Sequence, residues 1–331
     1  MNEEAIFFGE TGSLIGVVTD PPTRNGSLPK TAVILLNPGI VHRVAPGRMY
    51  VKVARALAAM GFMVLRFDFS GIGDSPARYD HLPFDKSAVR ETQDAMHFLQ
   101  AKKGIERFIL LGGCSGARVA LQTACCDQRV IGTLLINLQI SEDDDQSSDQ
   151  IGRTAAFYYL NFALFNLKSW LKLLTGKADY LKILRALGFQ ARRRLPSARK
   201  LSPEAIQIST NLRTLAERGA CVTFLYAESD PRLSDLHEAI SRELRQLREL
   251  AKLSVEIIPR SDHTFSSLHD QDKLLKKICE LIAAIPSVMS GAIVSHRRDW
   301  LPQLFEDTLS QHGGNNTDPQ SSMLEDWSES Q

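Results

Sequence analysis

The chain has 331 residues, of which 44% are hydrophobic and 23% charged, and its 39 Lys and Arg nearly balance its 38 Asp and Glu. A chain of this size can bury a large core, and its composition excludes a wholly disordered, collagen-like or coiled-coil protein. The net charge of +1 gives no global argument for nucleic-acid binding, and five cysteines are too few for a disulfide scaffold. The N-terminal run MNEEAIFFGE lacks the features of a secretory signal, so we expect a protein of the reducing cytoplasm.

Strands and helices alternate along most of the chain. Short apolar, β-branched runs predict strands, and apolar residues at helical spacing predict helices. The strands are predicted over 31–36, 62–67, 108–111, 132–138, 221–226 and 254–258, and the helices over 48–60, 83–100, 115–126, 235–252 and 270–284. Strands that alternate with helices at this spacing indicate crossover connections, and therefore a mostly parallel sheet with helices on both faces.

The alternation is interrupted between residues 141 and 215, which have a mainly helical pattern. We interpret them as a helical cap inserted into one α/β core, formed by residues 1–140 and 216–286. Residues 287–331 are polar, with six acids and no Lys or Arg from 301 onward, and we expect a largely disordered C-terminal tail.

The run FILLGGCSGA, residues 108–117, takes a buried strand through a tight turn of small residues directly into a helix. This is the pattern of a nucleophile elbow, in which small residues lie two before and two after the nucleophile. Two registers fit, with Cys114 or Ser115 as the nucleophile. Because Gly112 directly follows the apolar run, the spacing favours Cys114, and a helix N-terminus suits a thiolate.

Three further runs accompany the elbow, namely Asn37-Pro38-Gly39, HRVAPGR at 42–48 and LRFDFSGIGDS at 65–75. From about residue 31 to 285 the chain resembles bacterial α/β-hydrolases related to the serine aminopeptidase-like hydrolases and to hydrolases associated with exosortase systems. Members of that group carry Gly-x-Cys at the elbow. The resemblance implies the α/β-hydrolase fold, a mostly parallel doubly wound sheet with an inserted helical cap.

The resemblance also implies a catalytic triad. Its acid would follow the strand after the cap, which points to Asp230, with Glu228 as the alternative, and its base would follow the last strand, which points to His263. The oxyanion hole would combine the backbone N–H of Ser115 with one from the loop after residue 36. That loop contains Pro38, which has no N–H, so Gly39 or Ile40 must supply the second donor.

Residues 151–200 contain 11 Lys and Arg and one acid, a local net charge of +10. A basic amphipathic helix there could cover a pocket for an acyl chain or an anionic ligand, lie on an anionic membrane, or be an ordinary cap helix with a solvated basic face. No nucleic-acid motif accompanies Arg192-Arg193-Arg194. The acids at 142–145 have no His or Cys beside them, and the sequence implies no metal or organic cofactor.

The sequence therefore predicts a hydrolase that cleaves an ester, thioester or related acyl bond of a small-molecule or acyl substrate. The covalent acyl-enzyme would form on Cys114 or Ser115, with His263 as base and Asp230 as the orienting acid. Two alternatives stay open. One is an acyltransferase with the same machinery, and the other is a non-catalytic ligand-binding protein of the same fold.

Overall fold

A computed structural model describes residues 1–22, 29–139, 203–230 and 253–289. The described residues form a central sheet of eight strands, and these strands carry buried apolar side chains. The strands are β1 (Asn2–Phe8), β2 (Leu14–Asp20), β3 (Thr31–Leu36), β4 (Met63–Phe67), β5 (Arg107–Gly113), β6 (Val130–Ile136), β7 (Cys221–Ala227) and β8 (Leu253–Ile258). They lie in the order β1-β2-β4-β3-β5-β6-β7-β8, and every pair from β4 to β8 along that order is parallel. The predicted mostly parallel sheet is confirmed.

Helices cover both faces of this sheet. They are α1 (Met49–Ala59), α2 (Phe84–Lys103), α3 (Ser115–Cys126), α4 (Pro203–Glu217) and α5 (Leu268–Met289), and a short 3-10 turn (Pro46–Arg48) precedes α1. Buried side chains of α1 and α5 form one apolar layer with the sheet, and those of α2, α3 and α4 form the other. Because β3, β5, β6, β7 and β8 are parallel, their carboxyl ends meet at one edge, where an α/β protein builds its site.

The sequence analysis missed the antiparallel hairpin β1–β2, which pairs with β4 at the edge of the sheet. Only Ile6 and Phe8 of β1 are buried, and Phe7 between them is exposed. A strand that buries only alternate side chains has a weak apolar pattern, and the acids at the start of β1 weaken that pattern further.

Residues 203–215, assigned to the cap by sequence, belong to α4 of the core. Their buried side chains Ile208, Leu212 and Leu215 join the apolar layer that includes α3 and β7. Residues 203–217 therefore pack as part of the described core. Helix α5 likewise continues through Pro286 to Met289, beyond the predicted start of the tail.

Other predictions concern residues outside the described ranges. These are the remainder of the cap, the basic run 151–200, the acids at 142–145, the helix over 235–252 and the tail beyond 289. Among the helices that are described, none has both the length and the apolar character needed to cross a bilayer.

Candidate active site

Cys114 lies at the junction between β5 and α3. Its backbone has φ 52° and ψ −116°, a conformation that a residue with a Cβ rarely adopts, and α3 begins at the next residue. Its N–H donates to the Ile136 carbonyl oxygen at 2.9 Å, which ties the turn to the end of β6. Strained backbone of this type costs about 1–3 kcal/mol and occurs at nucleophile elbows, where it exposes a reactive side chain.

The space around the flanking residues distinguishes the two possible registers. A Cβ on Gly112 would lie 2.2 Å from the Gly116 carbonyl, and one on Gly116 would lie 2.6 Å from the Leu36 and Asn37 carbonyl oxygens. A Cβ on Gly113 would meet nothing closer than 3.5 Å. The positions that must be glycine are therefore two before and two after Cys114, which is at the apex of the turn.

Ser115 is the first residue of α3, and its hydroxyl contacts the loop after β3. The Gly39 N–H donates to Ser115 Oγ at 2.8 Å. The Ser115 N–H lies in the first turn of α3, where backbone donors have no partner within the helix. The serine side chain thus connects the elbow to the neighbouring loop.

His263 and Asp230 form a close pair beyond the ends of β8 and β7. His263 Nδ1 lies 2.6 Å from Asp230 Oδ2, and the aspartate side chain is 0% exposed while that of the histidine is 37% exposed. Because an ionised carboxylate can only accept hydrogen bonds, Nδ1 carries the proton and Nε2 can act as a base. The alternative acid Glu228 is exposed, and its Oε2 instead accepts the Arg260 N–H at 2.6 Å.

A cavity of about 260 Å³ brings Cys114 and His263 onto one surface. Most of its wall is apolar, and it lies between the loop after β3, the start of α1 and the first turns of α5. Its lining residues are Pro38, Gly39, Val41, Ala45, Pro46, Met49, Tyr50, Gly113, Cys114, Ile136, Asn137, His263, Thr264, Phe265, Gln271, Leu274 and Ile278. Ser115 is not among them.

Residues 33–276, well over half of the chain, match the sequence model of the alpha/beta hydrolase family. The chain belongs to this family. The hydrolase has solved structural relatives that are distant in sequence. An esterase of Pyrococcus furiosus has a TM-score of 0.51 and 16% identity, and the match covers 85% of this chain and 89% of the esterase.

Two further solved structures have the same fold. A hypothetical protein of Pseudomonas aeruginosa matches with a TM-score of 0.52 and 15% identity over 85% of this chain and 93% of its own. A protein of unknown function from Agrobacterium tumefaciens matches with a TM-score of 0.50 and 14% identity over 89% and 100%. No curated protein matches the sequence significantly. Identities this low establish the fold, and the α/β-hydrolase fold predicted from the sequence is confirmed.

Asn137 of the hydrolase connects the two loops that carry the histidine and the aspartate. It follows β6 with φ 48°, its Nδ2 donates to the His263 carbonyl oxygen at 2.8 Å, and its Oδ1 accepts the Ala227 N–H at 3.0 Å. The sequence analysis did not identify this residue. An asparagine directly after a buried strand is a weak signal, because the sequence does not show that its amide reaches the end of β7 and the histidine loop.

A buried carboxylate holds the loop after β3 in place. Asp68, whose side chain is 0% exposed, accepts the Arg43 N–H at 2.5 Å and pairs with the Arg43 guanidinium, which also reaches Asp74 at 2.6 Å. Asn37 Nδ2 donates to the Val41 carbonyl oxygen at 2.8 Å and closes the loop from within. The contacts of Arg43 join the loop after β3 to the loop after β4, and these loops contain two of the runs on which the resemblance rests.

The three backbone N–H groups expected to form the oxyanion hole differ in whether they already donate a hydrogen bond. The Gly39 N–H already donates to Ser115, so it is occupied in this structure. The Ile40 N–H forms no hydrogen bond with any described residue, and its side chain is 91% exposed. The Ser115 N–H is at the start of α3, next to Cys114.

Tyr50 is a buried polar group that the sequence analysis also missed. Its hydroxyl donates to the Leu36 carbonyl oxygen at 2.8 Å. Burial raises the pKa of Tyr50 far above its ordinary value, with a smaller contribution from the nearby Cys114 sulfur, while a Gly113 backbone hydrogen bond acts in the opposite direction. The phenol therefore stays neutral and supports the end of β3 at the cavity wall.

No group of three or more His, Cys, Asp and Glu side chains in the ranges given above is arranged to hold a metal ion.

Proposed function

We propose that this hydrolase cleaves an ester, thioester or related acyl bond through a covalent acyl-enzyme on Cys114. One observation carries the proposal. The strained elbow residue Cys114 and His263, which is paired with the buried Asp230, line the same cavity. A nucleophile, a base and a group that orients the base are the components that acyl transfer needs.

The reaction has two balanced steps. His263 Nε2 takes the thiol proton while the sulfur attacks the acyl carbon, and the tetrahedral intermediate then expels the alcohol or thiol, which receives that proton. Water next gives a proton to His263 and attacks the thioester carbon, and the acid leaves as the sulfur regains a proton. Asp230 keeps Nδ1 protonated throughout and stabilises the imidazolium. Its carboxylate suits this role because it is buried and its Oδ2 lies 2.6 Å from His263 Nδ1.

Backbone donors would stabilise the oxyanion of the intermediate. The Ser115 N–H and the Ile40 N–H suit this role, and Gly39 would add a third donor once it separates from the Ser115 hydroxyl. The N-terminus of α3 adds positive potential at the same point, which favours both a thiolate and an oxyanion.

The choice of Cys114 over Ser115 is part of the proposal. It is supported by the glycines at 112 and 116, by the resemblance to hydrolases with Gly-x-Cys at the elbow, and by the engagement of Ser115 Oγ with Gly39. The esterase among the structural relatives is consistent with acyl chemistry on this fold.

The substrate that we propose is a small acyl compound. The local charge of +10 over residues 151–200 favours an anionic substrate. As an alternative role, the same basic residues would contact an anionic membrane surface. We place the protein in the cytoplasm, because five cysteines in 331 residues are too few for a disulfide scaffold.

A non-catalytic ligand-binding protein is the second candidate. Two features favour it, namely the missing N–H of Pro38 and the occupied N–H of Gly39. An acyltransferase would use the same groups and differ only in the acceptor of the acyl group.

Active-site labelling tests the proposal. Wild type, Cys114→Ala and Ser115→Ala are treated separately with iodoacetamide and a fluorophosphonate, and modified residues are mapped by mass spectrometry. We expect rapid alkylation of Cys114, slowed at least tenfold in His263→Ala, and acylation at Cys114 with a p-nitrophenyl ester. Fluorophosphonate labelling that is lost in Ser115→Ala would transfer the role to Ser115. No activated labelling at either residue would favour the binding protein, and a higher rate with added amine or alcohol acceptors would favour the acyltransferase.

A further inference from the structure

The cavity beside Cys114 is bounded on two sides by helices of the core. Met49 of α1 and Leu274 and Ile278 of α5 form its apolar wall, and Phe265 lies beside the histidine loop. At about 30 Å³ for a group the size of a water molecule, 260 Å³ holds on the order of eight or nine chain atoms. An acyl chain of medium length fits this volume.

A polar side chain of α5 adjoins the apolar wall formed by Met49, Leu274 and Ile278. Gln271 of α5 lines the cavity and is only 8% exposed. Its Oε1 accepts a hydrogen bond from Lys52 Nζ of α1 at 3.1 Å. A lysine ammonium has only donors, so this contact fixes which end of the amide is oxygen and which is nitrogen.

Nothing in the described part of the chain accepts a hydrogen bond from the nitrogen of that amide. Gln271 Nε2, with two N–H donors, makes no hydrogen bond with any residue in the described ranges. The amide packs against Gly47, where a Cβ would lie 2.6 Å from Nε2, so a glycine is required for the side chain to keep this position. The backbone of Gly47 has φ 59°, which also favours glycine.

A buried amide donor distinguishes between ligands. A plain hydrocarbon chain in the cavity would cover the two N–H groups without replacing the hydrogen bonds that they make to water, which is unfavourable. A chain with a keto, hydroxyl or ester oxygen at the right depth would accept a hydrogen bond there. Sites with a buried donor reject analogues that lack the acceptor for this reason.

We propose that this cavity binds the acyl part of the substrate, and that Gln271 selects an acyl chain that carries an oxygen acceptor. The inference rests on the proposed function at Cys114, because it assigns the acyl side of the same reaction. Lys52 is a positioning residue, since it holds the amide oxygen so that the N–H groups remain available.

Thioesters that differ in chain length or in a single keto oxygen test the inference. The substrates are the acetyl, octanoyl and 5-, 6- and 7-oxo-octanoyl thioesters of N-acetylcysteamine, and kcat/KM is measured for wild type, Gln271→Met, Gln271→Glu and the control Gln207→Met. Gln207 is an exposed glutamine of α4, so its substitution makes the same chemical change on the surface. Thermal unfolding of each variant shows whether it is folded. If Gln271→Met does not fold, kcat/KM of the isosteric variant Gln271→Glu still tests the role of the amide.

In wild type we expect at least one oxo-octanoyl thioester to exceed octanoyl by about tenfold in kcat/KM, because one well-placed hydrogen bond contributes about 1.4 kcal/mol. The preference should fall below about twofold in Gln271→Met and Gln271→Glu and persist in Gln207→Met. A wild type that hydrolyses acetyl and octanoyl thioesters but shows no oxo preference would overturn this inference alone, as would a preference that survives both Gln271 variants. A wild type that hydrolyses none of the thioesters and forms no acyl-Cys114 adduct would overturn the proposed function together with it.

Discussion

Alanine at Gly112 and alanine at Gly113 should have opposite effects, and the comparison tests which residue occupies the elbow. A Cβ on Gly112 would lie 2.2 Å from the Gly116 carbonyl, whereas ordinary contact begins at 3.4 Å, so α3 and β5 must separate by 1.2 Å. Both contacting groups are backbone, so the strain cannot be relieved by a side-chain rotation. In the alternative register, with Ser115 at the apex, Gly113 would be the crowded position.

We expect Gly112→Ala to lower the free energy of unfolding by about 3 kcal/mol, at the upper end for overpacking. At about 2–4 °C per kcal/mol the midpoint of thermal unfolding would fall by about 6–12 °C. Gly113→Ala has an allowed φ and no contact below 3.5 Å, so it should be neutral or stabilise by about 0.4–1 kcal/mol.

Thermal unfolding followed by circular dichroism, with urea unfolding of the same variants, measures both changes. Equal destabilisation by the two substitutions would refute the packing argument. A larger effect at Gly113 would refute it more directly and would indicate the Ser115 register.

Three other predictions follow from the site and its surroundings. Asp230→Asn should lower kcat/KM on an ester substrate by about 10³–10⁴-fold through loss of the correct histidine tautomer, whereas Glu228→Gln at an exposed position should change it less than about twofold. Burial raises the pKa of Cys125 to about 11, so iodoacetamide at pH 8 should alkylate the adjacent, exposed Cys126 much faster in a mass-spectrometric time course, and equal rates would contradict this. Burial also raises the pKa of Glu91, so folding favours its protonated form and its contribution to stability is lost as pH rises through the folded-state pKa. Urea unfolding should therefore show wild type gaining stability relative to Glu91→Gln as pH falls from 8 toward 4.5, and an unchanged or opposite difference would show that burial does not control this group.

Sequence patterns predicted most of the sheet because β3 to β7 are buried on both faces. Such strands are continuous apolar runs, and all six predicted strands differ from the structure by no more than two residues at either end. The central run 108–111 extends to Arg107–Gly113, since the glycines before the elbow continue the ladder. The hairpin β1–β2 was missed because edge strands bury only alternate side chains.

The elbow also shows the limit of pattern reasoning. The run Gly112-Gly113-Cys114-Ser115-Gly116 allows two registers by composition. Only the distances to neighbouring atoms separate them. A Cβ on Gly112 or Gly116 would clash with backbone, whereas a Cβ on Gly113 would lie at ordinary contact distance, 3.5 Å, from Pro38.

Local sequence alone determined the strand–helix alternation, the tight turn at residues 112–116, and the polar residues that follow β7 and β8. These features depend on backbone sterics and on the burial of neighbouring side chains, both of which operate over a few residues. Tertiary structure decided which of those polar groups meet. The pairs His263–Asp230, Gly39–Ser115 and Lys52–Gln271 each join residues at least 33 positions apart. Their contacts exist because parallel strands end at one edge of the sheet and two helices pack side by side, and no short-range pattern records that proximity.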